Sequence, residues 1–330
     1  MIAKTGVTPL VAKTAQRVEQ FRRPTFFYES AREGMRDLLA NVLDHADDGV
    51  LLPAYIGWSR REGSGVFDPI VNSGARFAFY DLNADLSANI DDLERRLVAD
   101  QCRVIVLIHY FGRTDPNLAV IRTIADRHGA ILVEDLAHGF FSAYGTGQAG
   151  SYGHASLFSL HKMFPFAEGG MVSYLDQKLV RGQRESRPDL AIRILGYDWR
   201  AIAHARRENY LHLASLLQKL PGYGTRFKLL WPSLRECDVP QTLPVVVTGD
   251  SRDSIYSNMN ADGFGMVSLY HTLIEPVRAN FQALNDLARH IINFPVHQDV
   301  VLSELSPMAA AFQRHVSGSD VVVNNRSDVS

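Results

Sequence analysis

Short apolar runs that alternate with amphipathic stretches constrain this chain more than any other feature. From residue 50 the runs GVLLPAY, ARFAFYDL, RVIVLIHYF, AILVEDLA, ASLFSLH and GGMVSYL follow one another, separated by stretches such as DDLERRLVAD and NLAVIRTIADRHG. Runs of roughly four to eight apolar residues suit strands buried on both faces, and the amphipathic stretches between them suit the crossover helices that parallel pairing requires. The expected class is α/β, with a large domain built on a mainly parallel sheet.

The chain has 330 residues, more than a single core holds, so two domains with a cleft between them are expected. Lys and Arg number 34 against 36 Asp and Glu, which leaves no global field to draw nucleic acid or an anionic membrane. RRENY and RGQRES are too short, and too mixed with acids, to be nucleic-acid patches. The only cysteines, Cys102 and Cys237, lack metal-ligand spacing and make no disulfide framework, so no metal site is expected. No apolar stretch approaches the roughly 20 residues of a spanning helix, and residues 1–24 do not resemble a signal peptide. A cytoplasmic location is the expectation.

The pattern divides the chain into an N-terminal arm (1–25), a large domain (26–195), a small C-terminal α+β domain (196–318) and a frayed tail (319–330). SAREGMRDLLANVLDHA reads as a helix with Ser30 at its N-cap. The polar segment 176–195, with RGQRESRPD, is the expected connection between domains. From Trp199 to Leu220 a long helix is expected with Ile202, Ala205, Tyr210, Leu213 and Leu217 inward and Arg206, Arg207 and Glu208 outward. Beyond it, TLPVVVTG and FGMVSLYH read as strands, and DSIYSNMNA, RANFQALNDLARHII and SPMAAAFQRHV as helices.

Chemistry concentrates at two strand ends. Glu134 and Asp135 close the run AILVED, and ligands of open α/β sheets lie beyond the carboxyl ends of the strands. Ser159 and Lys162 stand where the next strand ends, ahead of the paired Gly169 and Gly170. An ammonium among apolar strands is costly unless its pKa falls or it reacts. A strand-end carboxylate and a strand-end amine together meet the needs of pyridoxal 5'-phosphate (PLP), which takes an acid on its pyridine nitrogen and an amine on its aldehyde.

The strings VIVLIHYFGRTDPNLAVIRTIADRHGAILVEDLAHG and GSYGHASLFSLHKMFPFAEGGMV resemble the DegT/StrS group of sugar-nucleotide aminotransferases, PLP enzymes of fold type I. LPAY at Pro53, RRENY at Arg206, LYHTL and FPVHQDV follow the same order, so the resemblance runs from about residue 26 to 310. It implies that Lys162 bonds to the cofactor aldehyde and that Asp135 pairs with the pyridine nitrogen. It further implies that His138 lies beside the ring and its 3'-hydroxyl, and that Ser159 binds the phosphate. Ala31 and Arg32 fall at the phosphate-binding first turn of a helix, where free N–H groups and the dipole favour an anion. The chain departs from the group in its short Ser159–Lys162 spacing and in Gly57, which stands where the aromatic that stacks on the ring is usual. Tyr55, taken as a cofactor ligand, and Trp58 are then the candidates for that stack. The Asn motif that reaches the partner subunit's phosphate is also missing, with Asp198 of LGYDWRAI in its place.

The resemblance implies a homodimer that moves an amino group from glutamate or glutamine to a keto-sugar acceptor, with PLP as cofactor. The alternatives are a sugar dehydratase working from the pyridoxamine form, which the group associates with histidine at the lysine position, and a non-catalytic PLP-binding sensor.

Overall fold

The computed structural model describes residues 21–45, 48–249 and 251–318. Most of the expected N-terminal arm and all of the expected tail lie outside the described residues. The elements run β1 (Thr25–Tyr28), α1 (Ala31–Val42), β2 (Gly49–Pro53), α2 (Phe67–Ser73), β3 (Arg76–Tyr80), α3 (Ile90–Ala99), β4 (Cys102–Ile108), α4 (Leu118–Arg127), β5 (Ile131–Asp135), α5 (Phe140–Tyr144), β6 (Ala155–Ser159) and β7 (Gly170–Tyr174). They continue with α6 (Asp189–Leu195), α7 (Trp199–Gln218), β8 (Phe227–Leu229), β9 (Thr242–Val247), α8 (Arg252–Ala261), α9 (Glu275–Asn280), α10 (Gln282–His290), β10 (Ile291–Pro295) and α11 (Leu302–Gly318).

Seven strands form one sheet in the order β1-β7-β6-β5-β4-β2-β3. The pairs β2/β3, β2/β4, β4/β5 and β5/β6 are parallel, and β7 is antiparallel to both its neighbours. All six apolar runs of the alternating region are strands of this sheet. Strands β2, β6 and β7 are buried at every residue, as strands with both faces covered must be. One face carries Leu38, Val50, Val104, Val133 and Val172, and residues from later in the chain, Leu273, Val277 and Leu284, join that cluster. The other face carries Phe140, Phe158, Leu190, Ile194 and Trp199. A second sheet, β10-β9-β8, is wholly antiparallel, and its core includes Tyr210, Leu213, Val245, Met259, Phe294 and Phe312.

Helix α1 begins where expected. Ser30 Oγ accepts the Glu33 N–H at 3.3 Å, and Glu33 Oε2 reaches back to the Glu29 N–H at 2.8 Å, close to a capping box. Gly34, Met35, Leu38, Leu39 and Val42 form its buried stripe, and Gly34 lets it lie close on Tyr28 and Val172.

Several expectations fail where tertiary packing overrides local pattern. Helix α7 turns Arg206 inward: the guanidinium sits on the buried stripe between Ala203 and Tyr210, 3% exposed, whereas Ile202 and Ala205 are only partly covered. FGMVSLYH is not a strand, because Tyr270 takes a left-handed φ of 54° that breaks extended backbone, and only Val267 bridges to Asn293. RANFQALNDLARHII is not one helix. It breaks at Phe281 (φ −127°, ψ 73°), and Ile291 and Ile292 leave α10 to pair with Val246 and Val245 of β9. The β-branched side chains gain full burial there, which outweighs a weak helical preference.

Candidate active site

The carboxyl ends of β5 and β6 and the start of β7 lie together at one edge of the large sheet, because Asp135 pairs with Leu157 and Ser159 with Gly170. A cavity of about 240 Å³ opens there, lined among others by Ser30, Arg32, Asp135, His138, Ser159 and Lys162. Strand β6 ends in a 3₁₀ turn, Leu160–Lys162, pinned by the bond from Leu160 N–H to the Gly169 carbonyl at 2.9 Å. That turn places Lys162 above the end of β5.

Lys162 Nζ lies 3.2 Å from His138 Nε2. On the other side of the imidazole, the Phe111 N–H donates to Nδ1 at 3.3 Å. An imidazole that accepts at Nδ1 carries its hydrogen on Nε2, so His138 donates toward the amine, and the amine must offer its lone pair. Burial pushes the Lys162 pKa down, opposed by the charges of Asp135 and Glu62. Burial also holds His138 well below its ordinary value, helped by the nearby Lys162. The hydrogen bond from Phe111 and the burial of both groups act in the same direction, toward an amine that offers its lone pair to the His138 N–H.

Asp135 is 1% exposed, and burial raises its pKa, opposed by the Ala137 N–H and by Lys162. Its Oδ1 accepts the Ala137 N–H at 2.9 Å, and no other hydrogen bond engages the carboxylate among the described residues. Its neighbour Glu134 points the opposite way and is saturated. It takes His109 Nε2 at 2.8 Å and the N–H groups of Gly150, at 2.7 Å, Tyr152 and Gly153, which keep it ionised despite burial. His109 N–H bonds the Asp135 carbonyl at 3.0 Å, so this buried pair also anchors the strand end that carries Asp135.

At the far end of the cavity stand Ser159, 3.2 Å from His161 Nδ1, and the first turn of α1, with Ala31 and Arg32 on the wall. Gly170 permits that arrangement. A Cβ there would lie 2.2 Å from the Ser30 carbonyl oxygen and 2.5 Å from the Ala31 nitrogen, so any side chain would push the helix start off β7. Arg32 bonds the Glu62 carbonyl, and its Nε is buried without a partner.

Lys162, Asp135, His138, Ser159, Ala31 and Arg32 are thus brought to one cavity. Tyr55 is not. It is fully buried, stacked at 5.4 Å on Tyr270, and Tyr270 is the ring on the cavity wall, edge-on to His138 at 5.5 Å. Trp58, the other aromatic considered, does line the cavity. Tyr270, His271, His161 and Glu62 also line it and were not anticipated; the LYH and HK pairs in otherwise apolar segments were the available signals. Asp198 caps α7, accepting from the N–H groups of Arg200 and Ala201 at 3.1 and 2.9 Å, and lies outside the cavity wall.

The residues fit PLP. A buried amine, a carboxylate with an unengaged oxygen, and a hydroxyl beside a helix N-terminus line one space, and a glycine cradle keeps that helix start in place.

The sequence profile of the DegT/DnrJ/EryC1/StrS aminotransferase family matches residues 64–227. The chain is 26% identical over 146 residues, 44% of its length and 33% of the relative's, to the L-glutamine:2-deoxy-scyllo-inosose aminotransferase of Streptomyces kanamyceticus. Matches to the curated relatives span about a third of their length. Among solved structures, Helicobacter pylori PseC, an aminotransferase in the biosynthesis of pseudoaminic acid, superposes with TM-score 0.73 at 17% identity, covering 89% of this chain and 87% of that one. Bacillus subtilis NtdA with bound PMP superposes with TM-score 0.71 at 16% identity, covering 89% and 74%. The fold is the fold type I architecture, and residues 64–227, just under half of the chain, match the DegT/DnrJ/EryC1/StrS aminotransferase family.

Proposed function

We propose that this chain is a PLP-dependent aminotransferase that moves an amino group from glutamate or glutamine to a keto-sugar, a sugar nucleotide, acting as a cytoplasmic homodimer. The observation that carries the reading is the buried Lys162 amine, 3.2 Å from His138 Nε2 and sharing one cavity with the Asp135 carboxylate. Bound PLP supplies an electron sink for the pair of electrons left when a proton departs from the donor Cα. Asp135 holds a proton on the pyridine nitrogen, which keeps that sink deep. With PLP bound, the Lys162 amine would be the base that takes the donor Cα proton and returns it across the site. His138 donates from Nε2 and keeps the amine unprotonated and oriented. Ser159 and the amides of the first turn of α1 hold the phosphate. Burial of Asp135 and His138 keeps water from the reacting face.

A lysine at position 162 favours transfer over dehydration from the pyridoxamine form. Incubated with glutamate alone, the loaded protein is expected to convert stoichiometrically to the pyridoxamine form and release 2-oxoglutarate. Silence with glutamate, glutamine and the other common amino acids would end the reading in favour of a PLP-binding sensor. Comparing sugar-nucleotide and simple ketones in the reverse half-reaction tests the acceptor.

A further inference from the structure

Part of the cavity wall comes from a segment late in the chain, Ser268 to His271, which lies between α8 and α9. It is tied down at both ends. The Val267 N–H bonds the Asn293 carbonyl of β10 at 3.0 Å, and the Thr272 carbonyl accepts the Trp58 N–H at 2.9 Å, beside a bridge from Leu273 to Gly57. Between these ties the backbone turns through Tyr270 at φ 54°. A Cβ on Gly57 would lie 3.2 Å from the Tyr270 ring, so the glycine leaves room for that turn. Backbone held in so sparsely populated a conformation is over-determined by its surroundings, and such places concentrate where side chains must be presented in one way.

The side chain presented is a histidine of fixed tautomer. His271 Nδ1 lies 2.8 Å from Ser268 Oγ, and that hydroxyl accepts from Arg252 Nη2 at 3.5 Å, which leaves its own hydrogen for Nδ1. Arg252 cannot drift: it is buried, with Nε on the Ile291 carbonyl at 2.9 Å and Nη1 on Asp253 at 2.7 Å. An imidazole that accepts at Nδ1 carries its hydrogen on Nε2. His271 Nε2 has no hydrogen-bond partner among the described residues, and packing does not shut it off. Burial, helped by Arg252 and opposed by Asp253, holds the ring below its ordinary pKa, so the donor is neutral. A neutral N–H suits a neutral oxygen, whereas an anion would call for a protonated ring, which burial and Arg252 both resist.

We propose that His271 is a specificity-determining residue for the acceptor: its Nε2–H donates to a hydroxyl of the keto-sugar, and Ser268 is the positioning residue that fixes the tautomer. The inference rests on the aminotransferase reading in taking the ligand for an acceptor; the donor itself is defined by Ser268 and Arg252.

Two ketones of one ring size separate recognition of hydroxyls from filling of space: scyllo-inosose, which is pentahydroxylated, and cyclohexanone, which has none. UDP-4-keto-6-deoxyglucose serves as the nucleotide-linked counterpart. The full chain is loaded with pyridoxamine phosphate, and its return to the aldehyde form is followed by absorbance against ketone concentration. His271→Phe is expected to raise the half-saturating concentration of the hydroxylated ketones about tenfold, with the limiting rate within about twofold and with cyclohexanone and the glutamate half-reaction unchanged. His271→Gln, whose amide can place an N–H near the position of Nε2, should retain part of the affinity, and Ser268→Ala should lose about threefold. If His271→Phe does not hold the cofactor, Ser268→Ala decides in its place. Hydroxylated ketones that the variants treat as the parent does, or an equal loss with cyclohexanone, overturn the assignment. If glutamate converts the parent and no hydroxylated ketone reverses the conversion, the aminotransferase reading of the donor half stands and the assignment falls. If glutamate yields no 2-oxoglutarate, calorimetric titration of scyllo-inosose into the pyridoxamine phosphate-loaded protein still reads the contact. An about tenfold weakening by His271→Phe there keeps the assignment while the aminotransferase reading falls, and absence of binding removes both.

Discussion

Lys162 Nζ and His138 Nε2 meet at 3.2 Å, and the Phe111 amide behind the imidazole decides which of them holds the proton. That amide is delivered by a buried residue in the left-handed region, Phe111 at φ 52°, followed by Gly112 at φ 89°. A Cβ on Gly112 would lie 2.3 Å from the Val239 carbonyl oxygen, so the turn is held tightly against the start of β9. Backbone held in a sparsely populated conformation persists where its surroundings over-determine it. Here those surroundings set a histidine tautomer at the reactive amine.

The first expectation follows from that relationship. In protein freed of PLP, Lys162 should react with an amine-directed acylating reagent at a pH below that of exposed lysines, because its pKa is lowered. In His138→Leu the donated hydrogen bond to the amine is gone, and the reactivity midpoint should rise. Peptide mapping of the label across a pH series reads both. A midpoint at the ordinary lysine value in the parent protein would contradict the neutral-amine assignment.

Stability should fall on mild acidification. The folded-state pKa of His138 lies below its unfolded value of 6.5, so its contribution is present above that value and lost as pH falls toward the folded pKa, where the unfolded chain binds the extra proton. His138→Asn should flatten the slope of denaturation midpoint against pH below about 6.5 relative to the parent. Equal slopes would mean that His138 is not held neutral.

Asp135→Asn should damage cofactor chemistry far more than folding. The carboxylate has one oxygen engaged by Ala137, a bond an amide can keep, but an amide cannot hold the pyridinium proton. The melting temperature should move by a few degrees at most, while the glutamate half-reaction slows by about 100-fold or more. A full rate would remove Asp135 from the site.

Gly170→Ala should weaken PLP affinity through α1. The added methyl meets the Ser30 carbonyl and the Ala31 nitrogen, so the helix start must move, and with it the amides proposed to hold the phosphate. Fluorescence titration with PLP should show a loss of affinity of about tenfold or more, with inorganic phosphate competing less well than in the parent. An unchanged titration would place the phosphate elsewhere. Gly145→Ala serves as the comparison, since its methyl would meet the Phe141 carbonyl and Ala203 rather than the cavity.

Much of this protein was legible in the chain itself. The alternation of apolar runs with amphipathic stretches specified the large sheet, because a strand covered on both faces has no polar positions to spare. Ser30 capped its helix as its residue type and context predict, and Asp135 and Lys162 were conspicuous because charges at the ends of apolar runs require a reason. Local pattern does not contain what distant segments contribute. Tyr270 displaced Tyr55 from the cavity wall because a left-handed backbone 215 residues further on aims its ring there. Ile291 and Ile292 left a helical register because β9 offered them full burial. Arg206 read as a solvated charge on an amphipathic helix and became a buried cation because Gln298 and the Met163 carbonyl, brought from two other parts of the chain, meet it there. Helix periodicity assigns faces, but only the assembled tertiary structure decides which face is wet, since burial is a property of what packs against a residue.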